Sequence, residues 1–214
     1  MLTLIVANGE LTGTTGLSNL VARADLILAV DGGANHCRRL GIVPDALIGD
    51  LDSITPTVLE EFREKAVAIH RHPPRKDATD LELALDLAMA RGAQEVFLLA
   101  GLGGRWDMSL ANLLLAAGEK YKTLNFTVLG PDCVMHILHP GEPYSLGGVT
   151  GQTVSLLPLQ GDVHGLTLRG FEYPLKDATL CFGSTRGVSN VLLDPAATIQ
   201  LRSGVLLCIR LDPL

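Results

Sequence analysis

The chain has 214 residues, 47% of them hydrophobic, and carries 17 Lys and Arg against 23 Asp and Glu, a net charge of −6. That length accommodates one large domain or two small ones with real cores, and the acidic balance excludes a general affinity for nucleic acid or for an anionic membrane surface. An anionic ligand must then be held locally, by a few placed cations, backbone N–H groups or a metal.

From the N-terminus to about residue 135, short apolar runs alternate with helical patterns. LTLIVANG precedes LSNLVARA; DLILAVDGG precedes ANHCRRLG; DALIGD precedes PTVLEEFREKA; VAIHRHP precedes a helix after Thr79; EVFLLAG precedes SLANLLLAAGEKY; and FTVLGP closes the series. Such alternation predicts a parallel sheet with helices on its faces. Beyond residue 135 the helical period vanishes. MHILHP, PYSL, TVSLLPL, LTLRGF, LCFG, VSNVLL, ATIQLR and GVLLCIRL read as short strands broken by Gly, Pro, Asp and Ser, the pattern of a β-sandwich or barrel. The expected division is therefore 1–138 and 139–214, with a boundary near Pro140 and no long linker. Cys37, Cys133, Cys181 and Cys208 are widely spaced and form no zinc-ligand pattern, so reduced and mostly buried thiols are expected. MLTLIVANGE lacks a basic start and is too short for a signal peptide, and no run approaches the roughly 18 apolar residues of a membrane span. No membrane segment and a cytoplasmic location are expected.

The stretch KDATDLE, residues 76–82, crowds charge into the mouth of a helix. Thr79 and Glu82 form a capping box, and Asp80 suits the positive end of the helix dipole. Leu81, Ala84, Leu85, Ala88 and Met89 then give one apolar face. Capping does not account for Lys76 and Asp77. Ligands of open parallel sheets bind beyond the carboxyl ends of the strands, and the unusual residues fall there: Asp31-Gly32-Gly33-Ala34-Asn35, Asp50-Leu51-Asp52-Ser53, Lys76 to Asp80, and Gly101 to Asp107. DGG reads equally as a tight turn, where glycine supplies positive φ at no steric cost, and as part of a site. GDLDS reads as a turn rich in Asp or as an extended segment that projects Asp50 and Asp52, two apart, to one side, and like charges that close call for a hard divalent cation such as Mg²⁺. GLGGR offers backbone N–H groups and an arginine to a phosphate, without the GKS or GKT of a Walker loop. Carboxylates, a lysine, an arginine and a glycine-rich loop together are the parts of phosphoryl transfer.

DGGAN, GDLDS, KDATDLELAL and GGRWD in this order, followed by GFEYPL and GVSN in the β-rich half, resemble the thiamine pyrophosphokinase family over essentially the whole chain. The resemblance implies transfer of a pyrophosphoryl group from ATP to the hydroxyl of thiamine, giving thiamine diphosphate and AMP. It also implies a Rossmann-like α/β nucleotide-binding domain, a β-sandwich that completes the thiamine site, and a homodimer with active sites shared between subunits. Matched position by position, Asp50, Asp52 and Asp80 resemble the magnesium ligands. Asp31, Gly32, Gly33, Asn35, Gly101, Gly103, Gly104, Arg105 and Asp107 correspond to the ATP site, and Lys76 and Asp77 to the place where substrate and phosphates meet. Asp77 is the candidate proton acceptor. Tyr173, Ser189 and Asn190 match positions near thiamine. Met108 departs from the family pattern, which commonly has histidine there.

Two other readings differ in what they require. A pyrophosphokinase for another alcohol, such as a hydroxymethyl pterin, has no need of Tyr173 and the SN pair. A thiamine- or nucleotide-binding sensor without turnover would have lost the acidic cluster. Among the remaining residues, Trp106 is expected to serve packing in preference to stacking on a substrate. His70, His72, His136, His139 and His164 lack ligand spacing and are assigned to no metal. Leu113, Leu114 and Leu115 fit either a helix core or an inter-subunit face.

Overall fold

The computed structural model describes residues 1–11 and 16–211. The chain forms two compact units, Met1–Leu115 with Phe126–Pro131, and Ala116–Asn125 with Asp132–Leu214.

The first unit alternates β1 (Leu2–Val6), α1 (Leu17–Arg23), β2 (Leu26–Val30), α2 (Gly33–Arg39), β3 (Ala46–Gly49), α3 (Pro56–Glu64), β4 (Ala68–Arg71), α4 (Asp80–Ala90), β5 (Glu95–Leu99), α5 (Trp106–Ala116) and β6 (Asn125–Leu129). Its strands lie in the order β6-β5-β1-β2-β3-β4, and the pairings from β5 to β4 are parallel. Every residue of β1, β2 and β3 is buried. That is why these strands read as unbroken apolar runs: helices cover both faces of a parallel sheet. Leu4, Ala29, Leu47, Val58 and Phe62 anchor the core on one side. Thr79 caps α4 as the sequence predicts, its hydroxyl accepting from Glu82 N–H at 3.2 Å, and Leu81, Ala84, Leu85 and Ala88 form the buried face.

The second unit contains a 3₁₀ turn (Glu119–Tyr121) and eight strands: β7 (Cys133–Leu138), β8 (Tyr144–Leu146), β9 (Thr153–Pro158), β10 (Val163–Arg169), β11 (Leu175–Leu180), β12 (Asn190–Val191), β13 (Ala197–Gln200) and β14 (Leu206–Leu211). They form two layers, β12-β9-β14-β7 and β11-β10-β13-β8. Leu156 and Cys208 from one layer pack with Leu146, Leu166, Leu168 and Ile199 from the other, which makes a β-sandwich. The alternation of β9, with every second residue buried, is the signature of a strand packed on one face.

One strand differs from expectation. LCFG is not a strand of its own: β11 covers Leu175–Leu180, and Cys181 to Gly183 are exposed beyond its end. β11 lies at the edge of its layer, with Lys176, Asp177 and Thr179 outward, so it carries no apolar run. Its register against β10 is irregular, and Asp177 sits at φ 49°. All four cysteines are free, three buried and Cys181 exposed. Among the described residues no helix is long and apolar enough to cross a membrane.

Candidate active site

The first unit's sheet changes direction between β1 and β5. The chain runs outward from β1 through β4, then returns to place β5 on the other side of β1. A crevice opens at such a reversal, beyond the carboxyl ends of the strands. The two chains stay together past the strand ends: Ala7 N–H donates to Leu99 O at 2.9 Å, Gly9 N–H to Ala100 O at 2.7 Å and Glu10 N–H to Leu102 O at 2.8 Å. Beside them is a cleft of ≈ 540 Å³ whose walls include Asn8, Glu10, Asp31, Asp80, Gly104 and Arg105.

The DGG glycines serve close approach and not positive φ. Gly32 has φ −58°, while a Cβ on Gly32 would lie 2.2 Å from Asn8 Oδ1 and one on Gly33 2.0 Å from Val6 O. The left-handed backbone falls on Asp31, at φ 46°, so the strain sits on the residue that carries the carboxylate.

Asp31, Asp50 and Asp52 each offer an oxygen within 4.8 Å of the others. Asp50 and Asp52 meet through a turn, not an extended segment: Leu51 has φ 69° and Asp52 N–H donates to Asp50 Oδ1 at 3.1 Å. Leu51 is buried and anchors this turn. Burial raises the Asp31 carboxyl above its usual range, against hydrogen bonds from Ser53 and Gly32, and the charge of Asp50 adds to the rise. Asp31 Oδ1 is buried with no hydrogen-bond partner. A buried, unsatisfied carboxylate oxygen beside two more carboxylates fits a hard divalent cation held by oxygen ligands. Asp80 and Asp31 both crowd the space beside Gly49, where a Cβ would lie 3.3 Å from both Asp80 Oδ1 and Asp31 Cβ. Its Oδ1 is buried and makes no hydrogen bond of good geometry, although Lys76 Nζ is 2.9 Å away as an ion pair. Lys76 also donates to Pro73 O at 3.1 Å. Asp77 is exposed in the same loop.

The glycine-rich loop is held from α5. Gly103 N–H donates to Ser109 Oγ at 3.1 Å, Asn112 Nδ2 donates to Gly101 O at 2.7 Å, and Gly104 N–H donates to Glu10 Oε1 at 3.3 Å. Gly103 and Gly104 have φ 89° and 69°, the conformation that glycine adopts freely. Arg105 is clamped by Asp107 through Nε to Oδ1 at 3.1 Å and Nη2 to Oδ2 at 2.5 Å. That pairing raises the Arg105 guanidinium pKa and lowers the Asp107 carboxyl. Both side chains are exposed, so the clamp orients the guanidinium more than it stabilises the fold.

In the second unit Tyr173 is 61% exposed. Behind it lies Asn190, which is buried: its Oδ1 accepts from Tyr173 N–H at 3.0 Å and Val191 N–H at 2.8 Å, and its Nδ2 donates to Tyr173 O at 3.0 Å. Asn190 therefore presents Tyr173, its own amide being occupied within the sandwich. Ser189 is exposed at φ 59°, and its N–H donates to Ser155 Oγ at 3.1 Å.

Residues 17–128 match the description "Thiamin pyrophosphokinase, catalytic domain" and residues 136–206 match "Thiamin pyrophosphokinase, vitamin B1 binding domain". The chain belongs to the thiamin pyrophosphokinase family. Thiamine pyrophosphokinase of Bacillus subtilis (strain 168) is 31% identical over 206 residues, 96% of each chain. The crystal structure of thiamine pyrophosphokinase from Bacillus subtilis superposes with a TM-score of 0.86 at 31% identity, covering 100% of both chains. The structure from Geobacillus thermodenitrificans gives a TM-score of 0.85 at 27% identity, covering 100% of this chain and 98% of the other.

Several features of this thiamin pyrophosphokinase family member are absent from the motif reading. Asn8, Glu10, Ser109 and Asn112 line the cleft. Asn8 and Glu10 follow β1, and the reversal between β1 and β5 was the available signal for them. Met108, where the family commonly has histidine, also lines the cleft, so no imidazole acts from that position. Trp106 is not a core residue: it is 89% exposed at the start of α5. Leu110 and Leu114 follow it at intervals of four and are also exposed, so they form one outward stripe.

Proposed function

We propose that this chain is an ATP-dependent thiamine pyrophosphokinase, a diphosphotransferase that converts thiamine and ATP into thiamine diphosphate and AMP. The observation that carries the reading is the group of Asp31, Asp50 and Asp52, of which Asp31, with its unsatisfied buried oxygen, lines the cleft together with a glycine-rich loop and an oriented arginine. The thiamine hydroxyl oxygen attacks the β-phosphorus of ATP, the bond from that phosphorus to the α,β-bridging oxygen breaks, and AMP departs with the bridging oxygen. Asp77, exposed before α4, is assigned to take the hydroxyl proton.

Asp31, Asp50 and Asp52 would hold Mg²⁺, with Asp80 close to Asp31 beside Gly49. When bound, the ion neutralises charge on the triphosphate and polarises its oxygens. Arg105, oriented by Asp107, and Lys76, drawn toward the cleft by Asp80, counter the charge that redistributes during transfer. Tyr173 offers its exposed ring to the cationic thiazolium and flat pyrimidine of thiamine. The enzyme is further proposed to act in the cytoplasm as a homodimer whose active sites draw on both subunits. Incubation with ATP, Mg²⁺ and thiamine, followed by identification of both products, tests the reaction. AMP with thiamine diphosphate is expected; ADP with thiamine monophosphate, or no turnover, would contradict it.

A further inference from the structure

Three carboxylates held within 4.8 Å of one another repel, and the turn that brings two of them in carries a non-glycine residue in the left-handed region, Leu51 at φ 69°. Such an arrangement persists only where its surroundings over-determine it. Within the turn, Asp52 N–H donates to Asp50 Oδ1 at 3.1 Å and Ser53 Oγ donates to Asp52 Oδ1 at 2.9 Å. Those bonds shape the turn, and Ser53 ties it to Asp31 through hydrogen bonds to that carboxyl.

Asn35 adds a second tie, from α2 to the far end of the loop. It lies in the first turn of α2, whose entry carries Asp31. Its Nδ2 donates to Ser53 O at 2.9 Å, and its Oδ1 accepts from Thr55 N–H at 3.1 Å and from Thr55 Oγ1 at 3.2 Å. The amide orientation is fixed, because a carbonyl oxygen needs a donor and a backbone N–H needs an acceptor. Both acceptor sites of Oδ1 are filled, leaving one N–H for any ligand. Thr55 precedes α3, and its hydroxyl makes no capping bond to that helix. It serves Asn35.

We propose that Asn35 is a positioning residue, an amide strut between the segment of Asp31 and the loop of Asp50 and Asp52 that sets their spacing for a divalent cation. This rests on the metal reading of that cluster. The family resemblance assigns Asn35 to the ATP site; the geometry gives its side chain to the loop of Asp50 and Asp52 instead. Partners that orient metal ligands are commonly worth about 10- to 100-fold in metal affinity when removed.

The test is Mn²⁺ binding to the full chain, read from the electron paramagnetic resonance signal of the free ion, alongside steady-state kinetics. Asn35→Ala should weaken Mn²⁺ about 10- to 100-fold, and raised Mg²⁺ should restore its kcat, with KM for ATP near normal at saturating metal. Thr55→Val should show a smaller loss, since the bond from its N–H survives. Asn35→Ala binding Mn²⁺ as tightly as the wild type overturns the proposal. In that case a raised KM for ATP that metal does not relieve identifies a nucleotide contact, and a lowered melting temperature alone identifies a structural residue. A wild-type chain that binds no Mn²⁺ overturns the metal reading itself, and the role of Asn35 with it.

Discussion

In the first unit, polar groups converge on an opening: Asp31, Asp80 and Arg105 line one cleft, with Asp50 and Asp52 beside Asp31 and Lys76 paired to Asp80. In the second unit the arrangement is inverted. Asn190 is buried with its amide bonded to backbone, and an aromatic ring stands in solvent. The difference fits the ligands proposed for each. A triphosphate and a metal need many fixed charges, whereas a flat cation needs one exposed face held rigidly from behind.

The largest effect should come from the acidic group. Asp52→Asn removes a metal ligand, and losing several kcal/mol of charge stabilisation would cut turnover by roughly three orders of magnitude. Thermal stability should hold or rise slightly as repulsion is relieved. Near-normal activity across Mg²⁺ concentrations would remove the cluster from the chemistry and erase the contrast between the units.

Asn190→Ala should act through the fold instead. It leaves the Tyr173 and Val191 N–H groups without their acceptor, at about 1–3 kcal/mol for an unsatisfied buried group. The melting temperature should fall and thiamine binding weaken together. Unchanged melting with weakened thiamine binding would make Asn190 a direct ligand.

Complementation addresses the proposed sharing of sites. Asp52→Asn chains and chains disabled at Tyr173 and Ser189 should rescue each other when unfolded, mixed and refolded. Half the dimers are then mixed, and one site in each is wholly unmutated, so roughly a quarter of wild-type activity should return. An inactive mixture in which mass spectrometry confirms mixed dimers would contradict shared sites.

A smaller effect concerns pH. His136 packs against Tyr144 with ring centroids 5.1 Å apart. Burial lowers its pKa from 6.5 to about 4, and the charge of Arg210 adds to this. Because the unfolded chain binds the proton first, the contribution of His136 is complete above pH 6.5 and is lost progressively as pH falls toward about 4. His136→Asn should flatten the thermal stability profile over that interval. An unchanged slope would show that other groups set the acid sensitivity.

The alternation of apolar runs and helical patterns was readable because strands buried on both faces have no polar alternation to hide them, as β1, β2 and β3 show. The four loops were readable because charge is rare beside such runs. The position of β11 was not, since an exposed edge strand resembles a loop in composition. Asp31 joins Asp50 and Asp52 through the parallel pairing of β2 and β3 and the bonds of Ser53, so the convergence of the loops was legible while the place of Asp31 among these carboxylates was not. Trp106 shows the limit of reasoning from residue type, because its size favours burial while its place at the mouth of α5 leaves it exposed.

The division of labour between the units is tested most directly by two-substrate kinetics of Tyr173→Ala. Stacking and cation–π attraction worth about 0.5–2 kcal/mol should raise KM for thiamine about 2- to 30-fold and leave KM for ATP unchanged. Equal rises for both substrates, or no rise for thiamine, would contradict it.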